Sequence, residues 1–193
     1  MDELETRITH EIAAITGFLE QRLGRRSRWN GEVELSDDPA AFGKALWSGR
    51  ISINRQTAQT DLRWRTQIHE ALHCFSAGLN QSSYAELRGW EEGVVEQLQR
   101  RLRSSVLHAL DVIVLDDIFV NVEQRHYYNR FISALEAIRQ ELNEPQEAFY
   151  LLLLAVPLKE RPAEVLGLSK RLMGEESITF RRTFAFSFSM LRR

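Results

Sequence analysis

The string Gln67-Ile-His69-Glu70-Ala-Leu-His73 sets two imidazoles four residues apart with a carboxylate beside the first. On a helix that spacing puts both histidines on one face, about 6 Å apart along the axis, so both can meet one metal ion. Glu70 can then reach a water held by that metal without being a ligand itself, which is the H-E-x-x-H logic of zinc hydrolysis. A catalytic zinc normally takes three protein ligands and keeps one position open, so a third donor is expected nearby. Glu92, eighteen residues beyond His73, meets that need. If the helices flanking 78–83 fold back antiparallel, Glu92 lies about 12 Å above the turn, level with His69 at about 12 Å and about one helical turn above His73 at about 6 Å. Glu91 competes with it as a donor. Glu96, one turn further on, can orient a zinc histidine or pair with Arg100. Cys74 follows a ligand but points about 100° away from it and reads as a small buried residue. His10, His108 and His126 have no spacing partner and read as surface or hydrogen-bonded histidines.

The elements that must position these groups are legible in the periodicity. Leu4, Ile8, Ile12, Ile15, Leu19 and Leu23 recur at steps of three and four, which predicts a packed surface helix over 2–23. The next stretch is punctuated by Gly, Pro, Asp and Ser, and Val33/Leu35 and Ile51/Ile53 alternate at period two, which predicts a small sheet. Ser48-Gly49 suits a hairpin between KALW and RISIN, in competition with a short helix over 39–47. Helix returns from about 60 to 77, closed by Gly78, and a second begins at a Ser83…Glu86 capping box and runs to about Arg103. Further helices are expected over 106–119, 122–142 and 145–155, the last ended by Pro157. Phe184, Phe186 and Phe188 alternate, which predicts a strand at the C-terminal end. The fold class expected is α+β: mostly helical, with a small N-terminal sheet packed on the His69–His73 helix and an all-α C-terminal half. It is organised as one domain over 1–193, with an upper part at 1–79 and a lower one at 80–193.

Composition narrows the function classes. The chain has 193 residues, 44% hydrophobic and 27% charged, with Lys+Arg 25 against Asp+Glu 27. That balance gives no whole-molecule field for nucleic acid or an anionic membrane. The basic strings Arg22-Leu-Gly-Arg25-Arg26-Ser-Arg28 and Arg100-Arg101-Leu-Arg103 read as solvated charged faces. The longest apolar run, FYLLLLAVP, is far short of the roughly 20 residues that span a bilayer. One cysteine and a charged N-terminal stretch lead us to expect a cytoplasmic protein without a disulfide.

His69-Glu70-Ala-Leu-His73, eighteen residues, then Glu92 inside Gly89-Trp-Glu-Glu-Gly-Val-Val-Glu96 resembles the gluzincin metallopeptidases. In that clan the third zinc ligand is the glutamate followed by glycine in W-x-E-G-like strings, which Trp90, Glu92 and Gly93 match; the spacing is that of its aminopeptidase branch. The resemblance covers about a third of the chain. With no G-x-M-E-N motif and a far shorter chain, it is closer to the compact minigluzincins. It implies a zincin-like fold, Zn²⁺ on His69, His73 and Glu92, a peptide or protein substrate, and 50–54 as the edge strand that takes an extended substrate. It also implies a tyrosine that stabilises the oxyanion, either Tyr127 or Tyr128, of which Tyr128 leads the helix in the manner of compact members. Self-inhibition by the C-terminal segment 178–190 is a further implication. The function expected is zinc-dependent peptide hydrolysis with Glu70 as general base. The alternative is a non-catalytic, zinc-stabilised regulatory or protein-interaction module, whose fourth metal position would be closed by protein.

Overall fold

A computed structural model describes residues 2–192. The chain forms two compact units: the first runs through Phe75 and takes in Gln99–Gln124, and the second comprises Ser76–Leu98 and the residues from Arg125 on. The class is α+β, mostly helical with one small sheet.

The first unit opens with α1 (Glu3–Leu23), whose Asp2 cap accepts from the Leu4 N–H and whose end is closed by Gly24 in the left-handed region, φ +64°. Ile8, Ile12, Ile15 and Leu19 of the expected stripe are fully buried. Three short strands follow, β1 (Val33–Ser36), β2 (Gly43–Ala45) and β3 (Ile51–Asn54). β3 lies in the middle, parallel to β1 and antiparallel to β2. The hairpin reading for β2 and β3 therefore holds over the competing helix. The edge-strand reading of 50–54 is corrected, since β3 is paired on both sides and buried at all four positions. The short α2 (Arg55–Ala58) leads into α3 (Leu62–His73), which carries the motif and packs on α1, β2 and β3. Ile8, Ile12, Val33, Ile51, Ile53, Ala58 and Cys74 form one apolar cluster between these elements. At burial free energies of roughly 1.5–3 kcal/mol for a large aliphatic side chain, this cluster is what holds the sheet on the helices.

α4 (Gln81–Ala109) belongs to the second unit up to Leu98 and to the first from Gln99. It begins three residues earlier than the expected box. Asn80 Oδ1 accepts from the Ser83 N–H and Ser83 Oγ accepts from the Asn80 N–H, so the reciprocal cap joins 80 and 83 rather than 83 and 86. α5 (Asp117–Gln124) completes the first unit. Arg103 is buried there, bonded to Glu123 and lying 4.2 Å over the Phe119 ring, so this member of the basic string is not part of a solvated face.

The second unit contains α6 (Asn129–Glu141), α7 (Gln146–Ala155), α8 (Arg161–Leu168) and α9 (Gly174–Leu191). The strand expected over 178–190 is corrected: it is the body of α9, which packs along α6. Phe180, Phe184 and Phe188 recur at step four and stack in sequence, while Phe186 is exposed. The helical period was in the residues beside the alternating one, and burial against Trp90 and α6 selects it. No helix among the described residues is long and apolar enough to cross a membrane.

Candidate metal centre

α3 turns both imidazoles to one side, and the elements of the first unit fix it there. Its C-terminal carbonyls are satisfied from the loop after α1: the Arg28 guanidinium donates to His73 O at 3.2 Å and the Arg28 N–H to Cys74 O at 2.9 Å. A cation at that end also complements the helix dipole. On the opposite side, Glu11 of α1 accepts from Gln67 at 2.7 Å and from Arg63. His69 and His73 are both 6% exposed. Their Nε2 atoms face each other at 3.2 Å, with ring centroids 4.9 Å apart and planes at 77°.

That separation tests the fit of an ion. Two nitrogens at about 2.0–2.1 Å from a tetrahedral centre lie about 3.3–3.4 Å apart, so the pair stands at the spacing of two ligands on one zinc. Glu70, buried beside His69, accepts a 2.7 Å hydrogen bond from the Ala45 N–H of β2 through Oε2. Cys74 is buried, and burial pushes its thiol up to about 12, as befits a packing residue.

In the second unit Glu92 is buried on α4 and accepts a hydrogen bond from the Tyr84 hydroxyl through Oε1. Burial, then the Glu92 charge, raises the Tyr84 phenol far above its ordinary value, so it stays a donor. Tyr84 carried no signal in the sequence. Eight residues of straight helix would put it about 12 Å from Glu92 along the axis. The helix is interrupted at Leu87 (φ −129°, ψ 35°), which a periodicity reading does not register. Arg88 joins the group through a hydrogen bond with Tyr128, which raises the guanidinium, and lies 6.0 Å from the Tyr128 ring centroid. Tyr128 precedes α6, half-buried and stacked on Phe131. Tyr127 is exposed beneath Arg130. Of the two tyrosines, Tyr128 is the one the fold brings to Tyr84 and Arg88.

Glu91 has a different duty from Glu92. It accepts from Ser76 Oγ at 2.7 Å and pairs with Arg161 at 2.9 Å, with both charged side chains fully buried. Trp90 packs on Phe184 and Phe188. A Cβ at Gly93 would meet Leu135 Cδ1 at 2.7 Å and Phe131 Cβ at 3.1 Å. The tryptophan and glycine of the string thus have packing roles of their own. His10 and His108 are exposed, and His126 is half-buried against the Tyr128 ring.

Comparison with protein-family models, with curated proteins and with solved structures gives no match for this chain.

Proposed function

We propose that the chain is a zinc-dependent peptide hydrolase in which His69, His73 and Glu92 hold the ion and Glu70 is the general base. The observation that carries this reading is the buried histidine pair with Nε2 atoms at 3.2 Å, beside a glutamate that a strand amide holds in place. His69, His73 and Glu92 are all buried and each offers one ligand atom. Zinc bound there would supply Lewis acidity, lowering the pKa of water toward neutrality and polarising the scissile carbonyl. Glu70 takes the proton of the attacking water as the new C–O bond forms, and returns it to the leaving nitrogen as the C–N bond breaks. Tyr128, with its hydroxyl engaged by Arg88, is the candidate donor to the developing oxyanion. A peptide that adds to the sheet would do so at an outer strand, β1 or β2, because β3 is enclosed on both sides.

The test is Glu70→Gln. Zinc should remain bound at one ion per chain while cleavage of a mixed peptide library falls by about a hundredfold or more. Zinc binding in a wild type that cleaves nothing would instead favour the non-catalytic, zinc-stabilised module.

A further inference from the structure

β2 is only three residues long, and its ladder phase can be worked out from its flanks. The Leu46 N–H donates to Arg50 O and the Asn54 N–H donates to Phe42 O, so residues 42, 44 and 46 turn their backbone groups toward β3. Gly43 and Ala45 therefore present theirs to the open edge. The outward Ala45 N–H is spent on Glu70 Oε2 at 2.7 Å. Gly43 sits against the same side chain: a Cβ built there would stand 3.0 Å from Glu70 Cγ, 3.2 Å from Glu70 Oε1 and 2.7 Å from Thr66 Cγ2. One outward residue thus bonds the carboxylate, and the other is small enough to let the strand lie against it.

Resting on the hydrolase reading above, we infer that β2 positions the general base. Ala45 anchors one carboxylate oxygen through its main chain, and Gly43 makes room for that approach. Gly43 and Ala45 are positioning residues; neither takes part in the reaction. A carboxylate on a flexible three-bond side chain loses rotamer freedom when a main-chain donor fixes it, and that cost is met on folding rather than at the moment of proton transfer. A backbone donor also survives side-chain substitution, so an alanine scan of β2 would miss it.

Two variants isolate the effect. Ala45→Pro removes the N–H at an outward position of an edge strand, where proline leaves the ladder to β3 intact. Turnover of a cleaved peptide should fall about tenfold to a hundredfold, with KM within about twofold of wild type and zinc content unchanged. Gly43→Ala should lower both melting temperature and turnover. Adding Thr66→Ser removes the closest clash, Cγ2, but not those with Glu70. The pair Gly43→Ala/Thr66→Ser should therefore regain the melting temperature while turnover stays low. A third readout is independent of activity: the Ala45 amide proton should resonate downfield in wild type and move upfield, with faster solvent exchange, in Glu70→Ala. Wild-type turnover in Ala45→Pro and in the paired variant, or an Ala45 amide signal unmoved by Glu70→Ala, would overturn the inference. If zinc-loaded wild type cleaves no peptide, the hydrolase reading falls, and the amide measurement alone decides whether β2 holds the carboxylate.

Discussion

Adjacent glutamates on α4 show how environment assigns roles to like residues. Glu92 accepts from the Tyr84 phenol, whereas Glu91 is matched by the Arg161 guanidinium. Arg161 also donates to Ser76 Oγ at 2.6 Å and to Trp90 O at 3.2 Å, so this ion pair is bonded on several sides in a region without water access. Breaking a buried pair from one side strands the other charge, and that costs about 3–5 kcal/mol; replacing both partners with apolar residues is often neutral. Arg161→Met should therefore lower the unfolding free energy by about that amount, and Arg161→Met/Glu91→Leu should restore much of it. Denaturant unfolding of the two variants checks this. A double variant no more stable than the single would show that the pair is not coupled. Sequence alone left Glu91 and Glu92 as rivals for the metal, because the residue that separates them, Arg161, lies seventy residues away along the chain.

At the scale of elements, α6 and α7 are joined through one side chain. Glu136 of α6 accepts from Gln146 of α7 at 2.8 Å and from Arg139 at 2.9 Å, while Arg139 also donates to Glu144 O in the turn. Burial by itself raises the Glu136 carboxyl, but the hydrogen bonds from Gln146, Arg139 and Tyr150 and the Arg139 charge together outweigh it and hold the group below its ordinary range. A carboxyl lowered in the folded state favours folding above its unfolded value, and that contribution is lost as the pH falls through the folded value. Wild type should thus lose melting temperature as the pH drops below the usual carboxylate value of about 4.3. Glu136→Gln should start lower at neutral pH and fall less steeply over the acid range. Parallel acid slopes in the two proteins would remove Glu136 from the account. Regular elements such as α1 and α7 are legible because one face of each meets apolar neighbours and the period survives in the residues, and β3 is legible because Ile51 and Ile53 alternate. The misreadings have physical causes as well. In α9 two periods coexist among the phenylalanines, and only contact with Trp90 and α6 chooses between them. The edge position for 50–54 is an implication of the family resemblance alone, and the residues of β3 do not contradict it, because strand order depends on pairing between distant segments that alternation does not encode.

For the molecule as a whole, the motif spacing singles out His69, His73 and Glu92, and all three are buried side chains on stretches, 62–73 and 88–98, that are helical as the spacing requires. A helix interruption and backbone donors leave no residue-type signature, so the roles of Tyr84, Arg88 and the β2 main chain are not legible in the residues alone. His69 and His73 belong to the first unit and Glu92 to the second. If the three-ligand proposal holds, one ion would take ligands from both, and metal binding should then be linked to the stability of the entire chain. A ligand that binds only the folded state adds RT ln(1 + [L]/Kd), about 2.7 kcal/mol at a hundredfold excess over Kd. Zinc should therefore raise the melting temperature of metal-free protein by several degrees, and chelation should reverse the gain. His69→Ala, on one unit, and Glu92→Ala, on the other, should each abolish most of that increment, whereas His108→Ala should retain it. The comparison of metal-free and zinc-loaded protein by calorimetry separates a shared site from a site confined to α3. In a confined site Glu92→Ala would keep the full zinc-dependent rise, and the three-ligand assignment would fail while the histidine pair remained.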